Sequence, residues 1–101
     1  MFLIRSIAQA RTGRRDEAVA LMKEMSAAAA KAVQMPVQRV LTASIGPCDS
    51  TVVTESEVES LAAFEKSLEA MNRWAGMQTY GPKLAEVFID GTHRFEIYRV
   101  C

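Results

Sequence analysis

Apolar residues run almost unbroken from Phe2 to Ala8, with only Arg5 and Ser6 among them, and Thr12-Gly13 closes the stretch. The run is too short for a helix core and predicts a buried strand. The next pattern is helical, with Ala18, Leu21, Met22, Met25, Ala29 and Ala32 on one stripe. Gly13 is placed to cap this helix, and Asp16 and Glu17 set negative charge against the positive end of its dipole. The alanines from Ala27 to Ala30 favour helix and keep the stripe thin. Lys31 suits the far end, and Pro36 stops it. Val37 to Ile45 predicts a second strand and Gly46-Pro47-Cys48-Asp49 a turn. The β-branched segment Thr51 to Val58 predicts a third strand, completing a hairpin. A second helix is expected from Ser60, with Leu61, Phe64, Leu68, Met71, Trp74 and Ala75 on one face. Glu69 and Arg73 stand four apart on its wet side in the favourable acid-first order. Between Gly76 and Gly91 the pattern is weakest, and Pro82 predicts the opening of a short helix to Ile89. Asp90-Gly91 reads as a turn and His93 to Cys101 as the last strand.

Strand, helix, strand, strand, helix, strand is the split βαβ order. It predicts an α+β, ferredoxin-like βαββαβ domain spanning residues 1–101, with a four-stranded antiparallel sheet. Right-handed crossovers put both main helices on one face of that sheet. A sheet with water on its other face should alternate between apolar and polar residues. Here Phe2 and Ile4 oppose Leu3 and Ile7, and Phe95 and Ile97 oppose Tyr98 and Val100, so both faces read as buried. Exposing roughly five large side chains forfeits on the order of 10 kcal/mol at about 1.5–3 kcal/mol each. A second copy packed sheet to sheet is the simplest cover, which predicts a homodimer.

Composition narrows the function classes. The 101 residues suit one domain, and 50% hydrophobic with 24% charged residues is the balance of a folded globular chain. Twelve Lys and Arg cancel twelve Asp and Glu, so no overall field draws nucleic acid or anionic lipid. No RNA-reading motif is present, and no apolar run is long enough to span a membrane. The N-terminal residues lack the pattern of a signal peptide. Cys48 and Cys101 form no C-x-x-C and no disulfide framework, and a single histidine argues against a zinc site. A reduced, cytoplasmic setting without a metal or cofactor is the expectation.

Several segments carry a family resemblance: Arg39-Val40-Leu41-Thr42, Gly46-Pro47, Thr51-Val52-Val53, Glu57-Val58-Glu59-Ser60-Leu61-Ala62 and Arg94-Phe95-Glu96-Ile97-Tyr98. Over nearly the whole chain the sequence resembles the dimeric α+β barrel superfamily, and within it small bacterial NIPSNAP-like proteins. The resemblance implies two ferredoxin-like subunits joining their sheets into one barrel. It does not specify chemistry, because this fold hosts unrelated activities. Some superfamily members bind haem through a histidine on or beside the second helix. This chain has none there, so a haem role is disfavoured. Others are cofactor-independent monooxygenases with Trp and Asn near a flat aromatic substrate. Asn72 and Trp74 are present here without a secure match to that motif.

Each candidate has a plainer reading. His93 has the ionisation range of a general acid/base, and otherwise is a partly exposed strand-end residue. Glu55 and Glu57 share one strand face at roughly 6.5–7 Å along the backbone, as a catalytic carboxylate pair or, more simply, as carboxylates neutralised by arginines such as Arg39. Arg5 and Arg99 interrupt apolar strands that this fold makes neighbours. They read as ion-paired residues of the dimer seam, with Glu96 or Glu55 as partners, or as an anion-capturing pair. Trp74, Tyr80 and Met77 are candidates for an aromatic pocket between helix and sheet, although Trp74 also continues a core stripe. Tyr80, in the irregular segment, is the stronger pocket candidate. Cys48 has no basic neighbour in sequence to activate it, and the glycines lack a phosphate-cradling spacing. The leading expectation is a homodimer binding a small apolar or aromatic molecule. The alternatives are a cofactor-independent monooxygenase or isomerase, and a non-enzymatic interaction module with a filled interior.

Overall fold

A computed structural model describes residues 1–101. Along the chain lie β1 (Phe2–Gln9), α1 (Arg15–Val33), β2 (Arg39–Thr42), β3 (Thr51–Val58), α2 (Leu61–Arg73), α3 (Met77–Val87) and β4 (Arg94–Arg99). The strands form one sheet in the order β2-β3-β1-β4, and every neighbouring pair is antiparallel. This is the ferredoxin-like α+β arrangement expected from the order of elements.

Register sorts the side chains into two faces. Ser6 stands opposite Thr54 on one side and Phe95 on the other, so these three share a face. Arg5 stands opposite Glu55 and Glu96, and Arg39 opposite Glu55, on the reverse face. Helix α1 buries Ala18, Leu21, Met25 and Ala29, four of the six residues of its expected stripe. Ala18 and Leu21 join Ala10, Val52 and Val87 in the central apolar cluster. Helix α2 is amphipathic yet fully buries none of its residues. Its start is where Ser60 places it: the hydroxyl accepts a hydrogen bond from Ala63 N–H at 3.1 Å.

Three boundaries depart from the sequence reading, besides a last strand of Arg94–Arg99 in place of His93–Cys101. Gly13 does not cap α1; it takes a positive φ in the preceding turn, and Arg14 holds the cap position. The second strand is Arg39–Thr42 rather than Val37–Ile45, since β3 pairs with only those four residues. The third helix begins at Met77, five residues before Pro82, and encloses that proline. Tight turn bonds from Met77, Gln78 and Thr79 N–H to Trp74, Ala75 and Gly76 carbonyls start the helix directly after α2. Those bonds outweigh the one that Pro82 cannot donate. Tyr80 therefore sits on a helix, not in an irregular segment, and its ring stacks on Trp74 at 5.7 Å.

The reverse sheet face is less apolar than the alternation argument assumed. It mixes Leu3, Ile7, Leu41 and Val53 with two ion clusters, and no element of this chain crosses it. No helix is long and apolar enough to cross a membrane.

Candidate functional site

The sheet floor beneath the helices is built from small residues. Ser6 and Ala8 of β1 and Thr54 of β3 face α2 and α3, where larger side chains would fill the gap that α2 leaves. The result is a cleft of about 450 Å³ between the layers. Met22 and Met25 wall it from α1, Leu68, Met71 and Asn72 from α2, and Met77 and Leu84 from α3. A smaller cavity of about 120 Å³ shares this wall and runs on past Met35 and Phe64. Five of the six methionines line these two spaces, giving a soft wall that adapts to ligand shape. A volume of this size lies within the roughly 300–1,000 Å³ of small-molecule sites. A wider groove of about 530 Å³ lies on the reverse sheet face beside Arg5, Leu41 and Arg94, bounded by the sheet and by the loop between β2 and β3.

The polar end of the cleft is assembled from distant segments. After α3 the chain returns along the end of β1: Ile89 N–H donates to Gln9 O, and Arg11 N–H donates to Val87 O. Thr92 fastens the following turn, its hydroxyl donating to Ile89 O at 2.6 Å and accepting from Gln9 N–H at 3.1 Å. His93 is thereby delivered to Ser6, with 2.7 Å between Nε2 and the serine Oγ. Its ring meets Phe95 edge to face at 4.8 Å, and Phe95 meets Phe64 likewise at 5.3 Å. Asp90 and Asn72 complete this polar end.

The reverse face neutralises its own charges. Arg5 Nε donates to Glu55 Oε2 at 2.9 Å, and Arg39 donates to Glu55 Oε1. These hydrogen bonds, from Arg39 first and then Arg5, hold the Glu55 carboxyl below the usual glutamate range. Nearby, Glu96 accepts from Tyr98 at 2.8 Å and from Arg94 at 3.1 Å, which lowers its pKa and raises that of Tyr98.

Of the candidate site residues named from the sequence, only His93, Asn72 and Met77 line the cleft. Trp74 and Tyr80 stack on each other outside its lining. Arg5 lies across the sheet with Glu55, which is one of the ion-pair partners expected for it. Arg99 is exposed and covers the Phe2 ring at 5.6 Å, and it pairs with neither Glu55 nor Glu96, whose partners are Arg5, Arg39 and Arg94. Arg5 and Arg99 point to opposite faces and form no anion-binding pair. Ser6 was missed, although a serine in an apolar strand beside Ala8 is the sequence trace of a hollow floor. No group of three or more metal-ligating side chains comes together.

The chain matches no protein-family profile and no curated protein. Solved structures do share its shape. An uncharacterized NIPSNAP domain protein from Burkholderia xenovorans superposes with a TM-score of 0.81 at 11% identity, over 100% of this chain and 95% of that one. The fold is the NIPSNAP fold. A NIPSNAP family protein from Agrobacterium tumefaciens gives a TM-score of 0.78 at 19% identity, over 97% and 90% of the two chains. SnoaB, a cofactor-independent oxygenase from Streptomyces nogalater, gives 0.67 at 13% identity, over 98% and 91%. What the three share with this chain is the fold.

Proposed function

We propose that this NIPSNAP-like protein is a homodimer, joined sheet to sheet, in which each subunit holds a small apolar or aromatic molecule between helices and sheet. The observation that carries the ligand reading is the methionine-walled cleft of about 450 Å³ over a floor of small residues. The same cleft argues against an interaction module with a filled interior. For the dimer, the support is that one chain alone buries only 13 of its 101 residues. It also leaves Tyr98 exposed and Leu3 and Leu41 half-buried on the reverse face, where Arg5, Arg39 and Arg94 already have carboxylate partners. Two exposed free thiols, Cys48 and Cys101, suit a reducing compartment such as the cytoplasm.

A second reading, a cofactor-independent oxygenase, draws on the likeness to SnoaB and on His93 lying in the cleft within reach of a ligand proton. The first reading is tested with N-phenyl-1-naphthylamine, whose fluorescence rises in apolar surroundings. Ala85→Phe intrudes on the cleft from an exposed helix position, and it weakens binding about tenfold, equivalent to about 1.4 kcal/mol. Absence of binding to the natural chain, or equal binding by the variant, refutes the cleft as the site.

A further inference from the structure

We infer that Ser6 and His93 are a nucleophile–base pair, and that the cleft accepts the acyl group of a small carboxylic ester. This adds an activity to the ligand-binding reading and uses the same cleft. The geometry meets the requirement for an activated serine. Oγ and Nε2 are 2.7 Å apart, within the roughly 2.6–3.2 Å at which a base takes the hydroxyl proton. With Nδ1 carrying the ring proton, Ser6 Oγ–H donates to Nε2. The base is held from two directions, by Phe95 against its ring and by the Thr92 hydrogen bonds to Gln9 and Ile89 on its backbone side. Ser6 sits at the middle of an inner strand, so its backbone is fixed. Both residues line the cleft together with Thr54 and Asn72, a hydroxyl and an amide of the kind that donates to a carbonyl oxygen as it gains charge.

The chemistry balances within these groups and water. Ser6 Oγ attacks the ester carbonyl as His93 Nε2 takes the hydroxyl proton, and the tetrahedral adduct forms. Its collapse breaks the bond to the alcohol, which leaves with the proton from His93, and the acyl group stays on Oγ. Water, deprotonated by His93, then attacks the acyl carbonyl. The acid departs and the proton returns to Oγ.

Diisopropyl fluorophosphate tests the pair, because its phosphorus is attacked in the same way with loss of fluoride. Intact mass with peptide mapping is expected to find one adduct per chain, on Ser6, and none on Ser6→Ala. His93→Gln keeps a polar side chain without the base, and its labelling rate is expected to fall about 100-fold. Circular dichroism on both variants checks that the fold persists. No adduct on the folded natural chain, an adduct elsewhere, or equal labelling of His93→Gln overturns the inference. N-phenyl-1-naphthylamine binding measured on the same sample separates the two readings. Dye binding without Ser6 labelling leaves the cleft and removes the pair, and labelling without dye binding does the reverse.

Discussion

Glu55 is 5% exposed, yet it carries a charge held by two guanidinium groups from strands on either side. Glu55→Gln keeps the shape and one acceptor oxygen and removes the charge. Breaking a fully buried pair from one side costs about 3–5 kcal/mol. Here the Arg5 and Arg39 side chains are 40% and 73% exposed, so both can turn to water once released. That relief lowers the expected cost to about 1–2 kcal/mol. For a chain of this length the melting temperature then falls by roughly 5–15 °C. The assay is thermal unfolding by circular dichroism at one fixed protein concentration, since any self-association also moves the midpoint. The pH dependence has a definite sign. Because folding lowers the Glu55 pKa, its contribution is complete above the unfolded value of about 4.3 and is lost as pH falls through the lower folded value. The gap between natural chain and variant should hold from about pH 7 to about pH 5 and close in stronger acid. A gap below about 0.5 kcal/mol at neutral pH refutes the reasoning. So does one that persists unchanged in acid.

Three further outcomes follow from the packing. An added Cβ at Gly76 meets the six-membered ring of Trp74, so Gly76→Ala pushes the indole off Tyr80; emission from this single tryptophan should shift, and an unchanged spectrum removes the argument. Ser60→Ala deletes the cap of α2 and should cost about 1 kcal/mol in chemical denaturation; a loss of only a tenth or two shows that α2 starts without it. Leu41→Glu adds a charge to the reverse sheet face, and light scattering should find half the mass of the natural chain; a natural chain already monomeric, or a variant that still pairs, excludes the sheet-to-sheet dimer.

Local pattern carried most of the fold and little of the site. Thr51–Val58 was bounded correctly because its β-branched residues coincide with a strand that pairs along its whole length with β1 and over Val52–Glu55 with β2. Ser60 located α2 because a cap is a bond within four residues. Pro82 misled because its rule concerns one missing bond, whereas the turn from Trp74 to Thr79 supplies several. The short second strand was set by its partner, which no local pattern in Val37–Ile45 records. His93 could be suspected from its residue type alone. Ser6 could not, since its meaning depends on a histidine 87 residues away. The clue that was legible, small Ser6, Ala8 and Thr54 where a covered sheet needs bulk, becomes visible only once the register puts them on one face. The arginines were chosen for interrupting apolar strands, but register sends Arg5 and Arg99 to opposite sides.

The return of the chain after α3 also bears on the order in which the protein folds. Gln9 and Ala10 meet Ser50 on one side and Phe88, Ile89 and Thr92 on the other. Closing loops of that length forfeits chain entropy before any contact repays it. Helices and the central hairpin close over far shorter distances, so the seam between β1 and the segment after α3 is expected to close after them. Ser6 and His93 meet only when that seam is shut. A partly folded chain, even one with its helices and hairpin in place, holds no such pair, and the polar end of the cleft exists only in molecules that have finished folding.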